Sequence, residues 1–92
     1  MEKVKRYELA RVPYPCKVCE MYEVVMAHDT CEVCGWAADS LQDANPDFEG
    51  GENPMSLNQY RHVWKNYAKE IKEIEDAVKR WHLIHKIFKE RQ

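Results

Sequence analysis

Apolar residues recur at Leu57, Tyr60, Trp64, Tyr67, Ile71, Ile74, Val78, Trp81 and Phe88, with His85 at the one missing step. The intervals alternate between three and four, which marks a heptad seam on one helix face. Ser56 precedes Leu57, and Gln59 lies three residues on, forming a Ser-x-x-Gln capping box. Pro54 and the Gly50-Gly51 pair punctuate the chain ahead of it, and no Gly or Pro follows through Gln92. The pattern predicts helix over 56–92. One unbroken helix of that length would run about 55 Å at ~1.5 Å per residue. Two arrangements meet the pattern: a helical hairpin bending near Glu73–Asp76, or a single long helix whose far half packs on another chain. Capping signals for a break are weak there, which favours the single helix. Leu57 to Ile71 reads as intramolecular core. Ile74 to Phe88 has too little remaining chain to cover it, so a homo-oligomer or partner contact through residues 74–88 is expected.

Two segments precede the helix. Residues 1–35 hold the cysteines and short strand-like runs. Residues 36–55 are rich in Asp, Asn, Gly and Pro and read as an acidic ordered loop. Met21–Ala27 combines β-branched and aromatic residues and reads as a strand, with His28-Asp29-Thr30 as the turn after it. Two C-x-x-C pairs, at 16–19 and 31–34, make the ribbon zinc-ribbon-like. The expected fold is α+β: this small β-ribbon packed on a long C-terminal helix or helical hairpin, with residues 1–92 as a single domain.

Cys16-Lys-Val-Cys19 and Cys31-Glu-Val-Cys34 are two C-x-x-C pairs separated by 11 residues. Each pair makes a knuckle in which two thiolates point at one site and backbone N–H groups reach the sulfurs. Two facing knuckles supply four soft ligands in a tetrahedron, the set that structural zinc takes. The expectation is one structural Zn2+ per chain on Cys16, Cys19, Cys31 and Cys34. Iron in a rubredoxin-like site and disulfides are the alternatives. A redox pair would use one C-x-x-C in a βαβ setting, which this pattern lacks. Gly35 follows the second knuckle, where positive φ is often needed; Glu20 stands at that place after the first.

At 92 residues, 45% apolar and 33% charged, the chain is too hydrophobic for a disordered tail. No apolar run approaches the ~20 residues that span a bilayer, and the first residues lack a signal-peptide core. A cytoplasmic location follows as the expectation, without membrane contact. Charge is unevenly spread. Residues 18–60 hold nine acids and no Lys or Arg, while residues 1–17 carry a net +3 and 61–92 a net +4. A negative centre argues against phosphate contact there and suits a basic protein partner or simple solubility.

Other chemistry is sparse. His82 and His85 share a helix face without further ligands, and His28 and His62 read as surface. There is no Ser elbow, P-loop or H-E-x-x-H motif. No enzyme is expected. Trp36, beside the second knuckle, reads first as core and second as a partner anchor.

The run Cys31-Glu-Val-Cys34-Gly-Trp36, Asp39, Gln42, Asn45-Pro-Asp-Phe-Glu-Gly-Gly51, Asn53 and Ser56-Leu-Asn58 resembles the small bacterial cysteine-rich CPCC-domain proteins. Tyr14-Pro-Cys16 fits their first knuckle, and the likeness covers about residues 14–67. It departs where neither C-x-x-C contains Pro, where Ala37-Ala38 replaces acids, and where the helix runs past a Phe-Gly break. The resemblance implies that the four cysteines are metal ligands. Some relatives look like immunity or accessory proteins encoded beside bacterial toxins. The function expected is therefore a non-enzymatic zinc-binding interaction module, an immunity protein or antitoxin that neutralises a toxin such as a nuclease. Trp36, Asp39, Asp43, Asp47, Phe48 and Glu49 are its expected contacts with a basic toxin domain. The alternative is a nucleic-acid-binding zinc ribbon using Lys65, Lys69, Lys72, Lys79, Arg80, Lys86 and Lys89.

Overall fold

The computed structural model describes residues 13–91; the readings that fall on 1–12 and on Gln92 lie outside the described residues. The elements are β1 (Tyr14–Pro15), β2 (Glu23–Val24), α1 (Ser40–Ala44), α2 (Leu57–Asn66), α3 (Ala68–Lys72) and α4 (Ala77–Glu90). The fold is the expected small α+β arrangement.

β1 and β2 pair antiparallel, with Tyr14 opposite Val24 and Pro15 opposite Glu23. The ribbon is shorter than the strand predicted over Met21–Ala27. Pro15 offers no N–H to a ladder. Residues 16–22 are taken up by a turn that closes with Cys16 N–H donating to Tyr22 O at 2.8 Å. Beyond β2, Val25 N–H leaves the ladder for the Asp29 carboxylate at 3.1 Å. A single bridge between Thr30 and Ala37 frames the second knuckle.

The 36–55 segment is ordered, but it is not all loop. Asp39 caps α1, its carboxylate accepting from Leu41 N at 2.9 Å and Gln42 N at 3.3 Å. Gln42 and Asn53 are both fully buried and bind each other. The Gln42 amide nitrogen faces the carbonyls of Phe48, Asn53 and Met55 at 3.0 Å each, and its oxygen accepts from Asn53 N and Nδ2. Asn53 Oδ1 accepts from Ala37 N–H and from the Trp81 indole at 3.1 Å each. Two buried amides thus satisfy the polar backbone of a loop that has few apolar side chains of its own. Gly51 lies so close that a Cβ there would meet Asp39 Oδ2 at 2.4 Å.

The capping box at Ser56 forms as expected: Gln59 N–H donates to Ser56 Oγ at 3.1 Å, and Ser56 N–H to Gln59 Oε1 at 2.9 Å. The preference for one long helix does not hold. The chain pauses at Tyr67, restarts as α3, and turns back at 73–76 into a hairpin. Asp76 begins α4 with its carboxylate accepting from Val78 N–H at 2.8 Å. The longest dimension is 41 Å, well short of an unbroken helix of that span.

The turn also resets the helical phase. In α4 the buried residues are Ile84 and Ile87, on the stripe Ala77–Arg80–Ile84–Ile87. The stripe read as the seam, Val78–Trp81–His85–Phe88, lies one residue further round. Val78 on it is 57% exposed. The hairpin therefore buries Ile84 and Ile87 within the chain, while Ile74, Trp81, His85 and Phe88 on the seam stay only partly buried. Trp36, Leu57, Tyr60, Ile71 and Ile84 form the heart of the core. No helix among the described residues is long and apolar enough to cross a membrane.

Candidate metal centre

The two C-x-x-C turns bring Cys16, Cys19, Cys31 and Cys34 together, with all four sulfurs within 4.8 Å of one another. Cys16 Sγ lies 3.7 Å from Cys34 Sγ, and Cys19 Sγ lies 3.6 Å from Cys31 Sγ. These spacings far exceed the ~2.05 Å of a disulfide. A tetrahedron with metal–sulfur bonds of ~2.3 Å has edges of about 3.8 Å, so the four residues fit one metal ion.

Both knuckles present backbone N–H groups to their sulfurs, one to each cysteine in the first and both to Cys31 in the second. Val18 N–H and Met21 N–H point at Cys16 Sγ and Cys19 Sγ, each at 3.4 Å. Val33 N–H and Cys34 N–H point at Cys31 Sγ, at 3.3 and 3.2 Å. Such donors favour thiolate over thiol. Each loop closes with a backbone bond from its first cysteine, Cys16 N–H to Tyr22 O and Cys31 N–H to Trp36 O. Each then needs a left-handed residue. Gly35 supplies it with φ of +89°, and Glu20 adopts it with φ of +61°, so Glu20 does in the first knuckle what Gly35 does in the second.

Hydrogen bonding, first with Cys16, draws the Cys31 thiol down to about 7. Cys34 is pushed up, first by Cys16, then by Cys19, Cys31 and burial. Four thiolates so close repel one another, and a cation at their centre is what removes that repulsion.

Side chains from the helices hold the knuckles in place. Tyr60 O–H donates to Cys34 O at 2.8 Å and its ring packs on Trp36 at 5.1 Å. Arg61 Nε donates to Lys17 O at 2.7 Å. Arg80 donates to Val33 O, to Ile74 O and, at 3.2 Å, to Lys72 O. Sequence reading missed these roles. In the sequence Arg80 reads as part of a basic helix face, and Arg61 and Tyr60 carry no motif that marks a carbonyl contact.

The expected partner contacts do not form one surface. Trp36 is core, 1% exposed, with its indole donating to Asp43 Oδ1 at 3.1 Å. Asp43 also accepts from Tyr14 O–H at 3.2 Å, and burial raises its carboxyl against the pull of those two donors. Asp39 is the α1 cap and also accepts from Glu52 N–H at 2.9 Å. These three serve the fold. Asp47, Phe48 and Glu49 are exposed. Asp47 accepts from Asn58 at 2.9 Å and Glu49 from Gln59 at 2.6 Å, which tethers their tips to α2.

The knuckles, the Gly-Gly loop and the capped helix match as one unit. The family model described as Cysteine-rich CPCC matches residues 14–82. The chain belongs to that family. The CPCC match runs past the helix start, through the hairpin turn and into α4 as far as His82, further than the likeness over 14–67. It thus includes Arg80 and Trp81, which tie the returning helix to the second knuckle and to Asn53. No curated protein and no solved structure matches this CPCC chain.

Proposed function

We propose that this CPCC protein is a zinc-stabilised, non-enzymatic binding module that recognises a basic protein partner, most concretely as an immunity protein or antitoxin against a toxin such as a nuclease. The four-cysteine cluster supports the metal half. A dication on four thiolates has no open position for water or substrate, and its role there is structural. Zinc fits this donor set, and metal analysis of purified protein tests it against iron.

The observation that carries the partner half is the set of exposed acids with no Lys or Arg among residues 18–60. Asp39 and Asp43 are engaged inside the fold. Glu20, Glu23, Glu32, Asp47, Glu49 and Glu52 are exposed. Carboxylates on a scaffold fixed by a metal can meet Lys and Arg in the cationic groove that a nuclease uses for nucleic acid. Phe48 adds an exposed apolar residue beside Asp47 and Glu49. The experiment replaces Asp47 and Glu49 by Asn and Gln, and Glu20, Glu23 and Glu32 by Gln. Affinity for the protein encoded beside this one, and protection of cells from it, are then measured. Loss of both in a folded variant supports the reading; unchanged affinity and protection overturn it.

A further inference from the structure

The stripe of α4 that the hairpin leaves only partly buried is not bare. It forms one side of a groove of about 600 Å³ between α4 and the loop leading into α2. Trp81, His85 and Phe88 recur at spacings of four and three and make an aromatic floor. His82, Lys86 and Lys89 form the neighbouring stripe, one residue further round, and all three are exposed. Pro54 and Met55 stand opposite. That volume lies within the range of small-ligand sites, which are mostly apolar with a few charged groups at one side.

Charge in the groove is one-sided. Among the described residues Glu49 is the single acid lining it, and its carboxylate is already held by Gln59 Nε2 at 2.6 Å. His85 packs at a tilt against Trp81 with ring centroids 4.0 Å apart and is bonded through Nδ1 to Trp81 O at 2.7 Å. Burial, chiefly, keeps it below the usual imidazole range, so it adds apolar surface rather than charge. Lys86 and Lys89 are therefore the cations that an occupant would meet.

We propose that this groove binds a small amphipathic anion, with its apolar body on Trp81, Phe88 and Met55 and its carboxylate, sulfonate or phosphate beside Lys86 and Lys89. Charge complementarity selects an anionic occupant, and the aromatic floor selects an apolar one. None of the four cysteines lines the groove, which meets the acidic surface at Glu49, and the proposal stands whether or not the protein is an immunity factor.

The test titrates the full metal-loaded chain with anilinonaphthalene sulfonate and, separately, with decanoate, using decanol as the neutral comparator. The readout is the Trp81 indole N–H resonance, which donates to Asn53 and lies in the floor. Expected is saturable one-site binding that shifts this resonance and weakens as salt rises from about 50 to about 500 mM. The pair K86Q and K89Q should weaken binding by about tenfold or more. The pair K65Q and K69Q, outside the groove, should leave it unchanged. Preference for the sulfonate assigns an aromatic anion, and preference for decanoate an aliphatic one. An unmoved Trp81 indole at saturating probe overturns the proposal. So does decanol binding as well as decanoate, or wild-type affinity in the K86Q and K89Q variant.

Discussion

The two knuckles share a motif and differ in what surrounds them. The first, Cys16 to Cys19, faces outward. Cys19 is only partly buried, Glu20 and Met21 are exposed, and the helices reach the knuckle through Arg61. The second, Cys31 to Cys34, is enclosed. Tyr60 binds Cys34 O, Arg80 binds Val33 O, and Gly35 packs directly beneath α4. A Cβ on Gly35 would meet Ala77 O at 2.5 Å and Trp81 Cβ at 3.1 Å. Each turn brings two sulfurs to the cluster, but the second also seats the helical hairpin. Glycine at 35 answers two demands, left-handed backbone and close approach. Position 20 makes only the first, and a non-glycine residue meets it at modest strain.

Breaking both knuckles at once should have the largest effect. Removing the metal with a chelator, or replacing Cys31 by Ser, should abolish the dispersed amide spectrum of residues 14–38. Structural zinc contributes roughly 10–16 kcal/mol of apparent binding free energy in zinc-finger peptides, which couples directly to folding. Retention of a native spectrum in the metal-free chain would show that the helices suffice.

Next come the left-handed positions, which should respond in opposite ways. Gly35→Ala combines backbone strain with overpacking and should cost about 2–4 kcal/mol in urea denaturation. Glu20→Gly relieves strain at an exposed site and should stay within about 1 kcal/mol of wild type. Equal effects would erase the distinction between the knuckles.

The two arginines should follow in the same order. Arg80→Gln strips three carbonyls of a charged donor and should cost about 2–3 kcal/mol, whereas Arg61→Gln, serving one exposed carbonyl, should cost about 1 kcal/mol or less. Paired denaturation curves at constant metal concentration decide this.

The smallest effect concerns His85, which touches Tyr60 edge-on at 5.8 Å behind the second knuckle. Burial, first, and then His82 hold its folded value below the unfolded ~6.5, against the bond to Trp81 O. Above pH ~6.5 both states are neutral there, and the site adds no slope. As pH falls from ~6.5 towards the folded value the unfolded chain binds the extra proton, so stability is lost, by at most ~1.4 kcal/mol per pH unit. His85→Gln should flatten stability against pH in that window relative to wild type. An identical slope would mean that His85 titrates alike in both states.

The clearest signals in the sequence were those written in fixed spacing. Four cysteines at C-x-x-C intervals led to the cluster, and Ser56 with Gln59 led to the observed helix start, because each depends on residues a few positions apart. The hairpin was harder to see. The alternating three-and-four pattern continues across residues 73–76 although the helix does not, so periodicity concealed a change of phase. Asp76 two residues before Val78 was the one local sign of a new start. The ribbon came out shorter because Pro15 and the Asp29 carboxylate intercept the ladder. Within the acidic loop, sequence shows the charge of Asp39 and Asp43 but not the N–H and O–H groups that occupy them. Only tertiary structure brings Tyr14, Trp36 and Glu52 to those carboxylates.

Arg80 has a consequence for how the molecule opens. Its guanidinium joins the carbonyls of Lys72 and Ile74, at the hairpin corner, to that of Val33 in the second knuckle. A corner and a metal turn that share one side chain open together rather than fraying separately. Amide exchange at Arg80 and Trp81 should therefore track metal occupancy as closely as exchange at Cys34 and Gly35 does. The amides near Glu90, beyond the reach of that bridge, should exchange at a rate the metal does not alter.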